Sequence, residues 1–353
     1  MSQKSGFEKK DTLVVKGLAI LLLLFYHLFE NAAMLEQLNV VYAPIPQDIF
    51  LMLSGYGNIC VAIFVFLTAY GITKGLPAAV EKTYFSDAMQ QAFRRFCRLV
   101  GNFVIMYLSV NLIWHSWFDY QKLYGKGMQG GILALIDLFG FAQFLGTPTL
   151  NMTWWYMELA ILFIFLVPLL YPVVKKTGAY SLMLGFLLPM AVTMNSDVQR
   201  YFLVALLGVA AAEEKWLEKL FAWKAHPAVK AIVGVLLIAI SIPLRQNYMV
   251  HTYFLWILDG PIALLLCWFG GEVLSRIPGV SHLLAFFGHY SMNIFFVHTF
   301  FYLAIHRDWF YSFRYAALIW LMLAVVSLGY SVALELVKKG GLILRRKCTP
   351  KRK

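Results

Sequence analysis

Apolar runs of about twenty residues recur along this chain from end to end, each closed by a short polar or basic stretch. A run of that length matches the hydrocarbon thickness of a bilayer at 1.5 Å per helical residue. The pattern predicts membrane-spanning helices near 12–30, 54–74, 99–115, 153–173, 179–195, 198–212, 230–245, 252–274, 283–304 and 314–337. The run 131–145 (GILALIDLFGFAQFL) is short for a crossing and contains Asp137 and Gly140, so it is expected to be re-entrant or interfacial. The predicted fold is an all-α integral membrane protein of about ten transmembrane helices with both termini cytoplasmic. Residues 1–337 form one polytopic domain and 338–353 a basic tail.

Charge placement supports this count. In a ten-span topology only six of the 30 lysines and arginines (Lys122, Lys126, Arg200, Arg245, Arg307 and Arg314) fall outside the cell, as the positive-inside rule requires. An eleventh span would put Lys175–Lys176 and the tail on the wrong side. Composition agrees: of 353 residues 61% are apolar and 14% charged, with no polar stretch long enough for a separate soluble domain. The net charge of +12 sits in short loops and in the tail KKGGLILRRKCTPKRK. Anionic lipid headgroups account for it, and no nucleic-acid partner is expected. The first apolar run has a basic flank like a signal peptide but is too long for one, and many spans follow it, so it is expected to be retained. The four cysteines, Cys60, Cys97, Cys267 and Cys348, follow no metal-ligand spacing and are expected as free thiols.

The candidate chemistry begins in the first span, KGLAILLLLFYHLFE (16–30). Lys16 and His27 are eleven residues apart, close to three full turns, so they share a face about 16 Å apart along the axis. Ile20, Leu23 and Glu30 continue that stripe. A lysine near the membrane boundary can snorkel, whereas a histidine inside the apolar run needs a polar partner or a wet cavity. An intramembrane histidine can simply be hydrogen-bonded between helices, so the neighbouring motifs decide its reading.

Those motifs are VAIFVFLTAYGITKG (61–75), FRRFCR (93–98), NMTWWYMELAILFIF (151–165) and FFGHYSMNIFFVHTFFYL (286–303). In this order after Lys16-x10-His27 they resemble membrane acyltransferase family 3, the integral membrane O-acyltransferases of the polysaccharide O-acetylase type. That family opens with an Arg/Lys-x10-His pair; Lys16 stands here for the commoner arginine. A second-span phrase F-F-x-L-S-G-F is matched by Ile63 to Tyr70, with Thr68-Ala69 in place of Ser-Gly. The R-x-x-R core is matched by Arg95 and Arg98, the Trp-x-x-x-Glu phrase by Trp154 and Glu158, and the closing phrase by Gly288, Ser291, Phe295–Phe296 and His298.

The resemblance implies an acyl-CoA-dependent O-acyltransferase, multi-pass in the plasma membrane. It would transfer an acetyl or other short acyl group to a hydroxyl of a cell-surface glycan or its lipid-linked precursor. No tightly bound cofactor or metal is expected; acetyl-CoA or a short acyl-CoA is a co-substrate. His27 is the expected general base or transient acyl carrier, with Lys16 beside it in the catalytic set. Glu158, about a turn inside its span, is expected to orient or pair with His27. Arg95 and Arg94 lie three and four residues before Arg98, within reach of its helix face, and the three are expected to clamp the donor's phosphates, although a positive-inside cluster alone looks the same. Trp154, Trp155, His298 and Asn293 are the expected substrate-binding residues. The rival reading is a proton-coupled transporter or flippase with His27 and Glu158 as relay, but the sequence shows no inverted repeat. Asp259, inside the eighth span, has no assigned role.

Overall fold

A computed structural model describes residues 6–77, 82–193, 195–249 and 255–348. The principal helices are α1 (Lys9–Phe29), α2 (Gln47–Thr73, with a 3-10 turn at Gly57–Ile59), α3 (Tyr84–Trp114), α4 (Gly127–Leu138), α5 (Trp155–Thr177), α6 (Ser181–Ala191), α7 (Ser196–Glu213), α8 (Pro227–Met249), α9 (Leu255–Glu272), α10 (Pro278–Thr299) and α11 (Ala316–Cys348). Short helical turns join them, and the described residues form no β-strand. Among the described residues eight stretches are long and apolar enough to cross a membrane.

The differences from the predicted spans have local causes. The expected 153–173 and 179–195 fall in one apolar stretch, Met152–Ala191, which breaks into α5 and α6 at Gly178. Gly178 ends α5 with φ +57°, a backbone conformation that glycine adopts without steric cost. The expected 198–212 lies in α7, which carries Asp197, Arg200 and Glu213 and is buried along most of its length. Part of the expected span 252–274 lies outside the described residues, as do parts of the basic tail.

α1 starts at a reciprocal cap in which the Glu8 backbone N–H donates to the Asp11 carboxylate at 2.7 Å. Its closest partner is α10. A Cβ added to Gly17 would lie 1.9 Å from the Leu284 carbonyl oxygen, and one added to Gly288 would lie 1.9 Å from that of Leu13. The two backbones therefore meet with only hydrogen at the crossing, as small residues permit inside membranes. α2, α5, α7 and α9 complete the core.

The bundle has two distinct ends. The end holding the start of α1 is tied by Lys74–Glu218 (2.7 Å), by the buried pair Lys230–Glu272 (2.8 Å) and by Phe7 against Tyr70. At the opposite end Tyr311 donates to the Leu28 carbonyl, and the backbone of Val41 pairs with Arg314 and Ala316.

The segment between α3 and α5 lies at this second end. α4, in the run 131–145 and just before it, is 12 residues long, shorter than the stretches able to cross, and is followed by Gly140 at φ +75°. Its anchor is Asp137, 1% exposed, whose carboxylate accepts from the Tyr124 hydroxyl at 2.6 Å and the Leu150 backbone N–H at 2.8 Å. Burial pushes the Asp137 carboxyl above its ordinary value of 3.8. The folded protein thus holds this proton more tightly than the unfolded chain, and stability contributed by it falls as pH rises from about 3.8 through the raised value. Asp137→Asn should flatten that part of the profile of thermal unfolding against pH. Asp137→Ala should lower stability at every pH by about 1–3 kcal/mol per donor left unpaired. An Asp137→Ala protein as stable as wild type would show that the segment is not anchored there.

Candidate active site

His27 lies in the last turn of α1 and faces α10. Its Nδ1 is 3.0 Å from Glu30 Oε1, one turn further on the same stripe. With Glu30 ionised, Nδ1 carries the proton and donates, which leaves the Nε2 lone pair as the basic site of a neutral imidazole. The carboxylate on His27 is therefore Glu30. Glu158, expected in that place, accepts a short hydrogen bond from the Gln143 backbone N–H. The Glu158 side chain leaves α5 towards the segment after α4.

The His298 ring is 5.2 Å from that of His27, centroid to centroid, and inclined by 41°. His298 is fully buried, and its Nδ1 is 2.7 Å from the Phe295 carbonyl oxygen, which fixes the proton on Nδ1. Its Nε2 is buried with no hydrogen-bond partner among the described residues. A second imidazole lone pair thus stands in the His27 neighbourhood, held by the Gly17/Gly288 crossing of the two helices that carry the rings.

Lys16, three turns from His27, lines a cavity of about 180 Å³ together with Thr68, Leu99, Tyr156, Ser291 and Phe295. Phe295, whose ring centroid is 6.1 Å from that of His298, is part of its wall, and neither histidine lines it. Lys16 makes no ion pair or hydrogen bond among the described residues. At about 16 Å from His27 along the helix axis it does not stand at the same reacting atom.

Arg94, Arg95 and Arg98 lie in the first half of α3, at the end of the bundle that holds the start of α1. Arg94 and Arg98 are exposed, and Arg95 reaches the Gly71 carbonyl at 3.4 Å. None of the three forms an ion pair among the described residues, so their charge is available to an anion. Asn102 continues their face by one further turn. It belongs to a closed ring of polar side chains: Asn102 donates to Asn293 at 3.0 Å, Asn293 to Glu335 at 2.9 Å, and Lys338 donates to both Glu335, at 2.7 Å, and Asn102.

The remaining expected residues separate. Asn293 is committed to that ring. Trp154, 4% exposed, donates its indole N–H to the Phe296 carbonyl at 2.9 Å and packs edge-on against Phe103 at 4.9 Å, so it is a core side chain. Trp155 is only half-buried and stacks on Tyr201 at 6.2 Å. Asp259, fully buried, receives the side chains of Arg245 at 2.8 Å and Arg200 at 3.1 Å, and both arginines also reach Asn58. One carboxylate thus joins α7, α8 and α9 near the His27 end. Sequence reasoning left Glu30 without a role; its signal was the i, i+3 spacing from His27.

The family model described as an acyltransferase domain matches residues 14–336, nearly the whole chain. The chain belongs to acyltransferase family 3. No curated protein and no solved structure matches it significantly. In this acyltransferase the matched region spans every element of the histidine site, from α1 to α11.

Proposed function

We propose that this membrane acyltransferase moves an acetyl or other short acyl group from acyl-CoA to a hydroxyl of a cell-surface glycan or its lipid-linked precursor, at the plasma membrane. The observation that carries the reading is His27 held by Glu30 at 3.0 Å, with its Nε2 left to accept a proton, beside the buried ring of His298. The N-terminal end of the bundle faces the cytoplasm in this reading, consistent with the excess of lysine and arginine there. Ten crossings then follow if α6 and α7 each traverse the membrane beside the eight apolar stretches.

The donor's phosphates bind at Arg94, Arg95 and Arg98, where guanidinium groups can meet phosphate oxygens two at a time. Its arm lies along the cavity, with the Lys16 ammonium near its polar atoms, and delivers the thioester to His27. The acceptor hydroxyl arrives from the opposite end. His27 Nε2 takes the hydroxyl proton as the oxygen attacks the thioester carbon. The tetrahedral intermediate collapses with loss of the C–S bond, and the imidazolium returns the proton to the thiolate of CoA. Glu30 stabilises the imidazolium between these steps. An acyl group carried on His27 itself is the two-step version of the same chemistry. A relay between His27 and Glu158, the basis of the transporter reading, has no support in the hydrogen bonding of either side chain.

The test is to supply acetyl-CoA labelled in the acetyl group to membranes containing the protein and to identify the labelled product. Label in a glycan or glycolipid is expected; no protein-dependent label in any acceptor rejects the reading. Arg95→Ala and Arg98→Ala should each raise the dissociation constant for CoA, and by a smaller factor in high salt, where phosphate contacts are already screened. Unchanged CoA affinity in both variants returns these residues to a topological role.

A further inference from the structure

A second cavity, of about 240 Å³, opens at the His27 end between the start of α5, the start of α7 and the segment after α4. Its walls carry the side chains of Gln143, Trp155, Glu158, Asn195 and Asp197. Helix dipoles explain why an acid is tolerated in the first turn of each helix. They do not explain why two acids, two carboxamides and an indole converge on one hollow. Glu158 is 9% exposed and is fixed by the Gln143 backbone. The Asp197 carboxylate is half-buried and accepts no hydrogen bond from the described residues, although the Arg200 charge is nearby. The Asn195 side-chain oxygen caps α7 through the Asp197 N–H at 2.9 Å, and Asn195 is exposed, so the cavity is reached from outside the bundle.

The lining selects a chemical class. Carboxylates accept hydrogen bonds, carboxamides both donate and accept, and an indole offers a flat apolar face with one donor. Gln143 Nε2 already donates to the Met152 carbonyl at 3.0 Å and Asn195 Oδ1 already accepts from Asp197, which leaves the Asp197 carboxylate, the Gln143 oxygen, the Asn195 amino group and the Trp155 indole to a molecule with several hydroxyls around a ring with an apolar face. Two carboxylates disfavour an anion. No group of three His, Cys, Asp or Glu side chains able to hold an ion occurs among the described residues. The volume is below the roughly 300–1,000 Å³ of pockets for drug-sized ligands, so the occupant is a single small unit.

We infer that the Trp155–Glu158–Asp197 cavity is a subsite for one neutral or amino-bearing sugar unit of the acceptor, set apart from the hydroxyl that reacts at His27. The inference rests on the acyltransferase reading for the word acceptor and on the lining for the word sugar. Binding a unit remote from the reacting hydroxyl supplies energy to position that hydroxyl. Glu158 is then a binding residue in the wall of this cavity and not the orienting partner of His27.

The full-length protein in detergent, without donor, is applied to an array of neutral, amino-bearing and uronate-bearing disaccharides. Binding to neutral or amino-bearing sugars is expected, with uronates excluded. The dissociation constant for the tightest of these should rise at least fivefold in Asp197→Asn and in Trp155→Leu. Asp197 is half-buried and its isosteric replacement leaves the fold in place, which guards against a misfolded variant. Absence of saccharide binding by the wild type, preference for uronates, or unchanged affinity in both variants would overturn the inference. Titration of CoA in the same preparation separates the two readings. CoA binding without saccharide binding removes the subsite alone, and saccharide binding without CoA binding removes the donor reading alone.

Discussion

Replacing His27 with alanine is expected to lower acyl transfer by about 10²–10⁴-fold while the protein still accumulates in the membrane, because removal of one positioned base typically costs that much. Among the described residues His27 is the one imidazole that combines a carboxylate on Nδ1, at 3.0 Å from Glu30, with a side chain still 16% exposed. His298 cannot take over in place, since its Nε2 is sealed in the interface between α1 and α10. The truncation removes one hydrogen bond at the end of α1 and leaves the Gly17/Gly288 crossing untouched, so folding should survive. The measurement is the rate of label transfer from acetyl-CoA, with protein level and CoA affinity followed in parallel. Glu30→Gln should fall between wild type and His27→Ala in turnover, with CoA affinity preserved, because the amide keeps the shape but not the charge. Wild-type turnover by His27→Ala would end the catalytic role and leave the histidine as an interhelical contact.

The first span shows how far a linear reading reaches. The eleven-residue spacing of Lys16 and His27 places them on one stripe, and the structure finds one facing the cavity and the other at the histidine pair. The same helical arithmetic put Glu158 about a turn inside its span but could not say which neighbour it would meet. Depth follows from residue number at 1.5 Å per step, whereas direction depends on which helices touch, and that is decided by contacts distant in the chain. Trp154 and Trp155 make the point within one dipeptide. Their side chains leave the backbone about 100° apart, one into the core against Phe103 and the other onto Tyr201 at the cavity wall. The break that the sequence places between 173 and 179 falls at Gly178, whose φ of +57° ends α5.

A single methyl group at Gly288 is expected to cost nearly as much as the loss of the histidine, for a different reason. In Gly288→Ala the new Cβ would stand 1.9 Å from the Leu13 carbonyl oxygen, 2.7 Å from its carbon and 3.0 Å from the Gly17 amide nitrogen. All three are backbone atoms of α1, so no side-chain rotation relieves the overlap and the helices must separate. Overpacking of this kind costs about 1–3 kcal/mol, sometimes more. Because α1 carries His27 and α10 carries His298, separation also moves the two rings that stand 5.2 Å apart. A displacement of about 1 Å between catalytic groups and substrate can cost about 10²-fold in rate. Gly17→Ala should act in the same way through Leu284, 1.9 Å from its Cβ. Gly101→Ala and Gly329→Ala are the controls: both glycines are helical, an added Cβ meets nothing within 4 Å at either, and alanine favours a helix over glycine by about 1 kcal/mol. Thermal unfolding in detergent should show lower midpoints for the first pair and equal or higher ones for the second. Label transfer should fall about 10²-fold in the first pair alone. If Gly288→Ala matches the controls in both measurements, the close crossing of α1 and α10 is not what holds the histidines together.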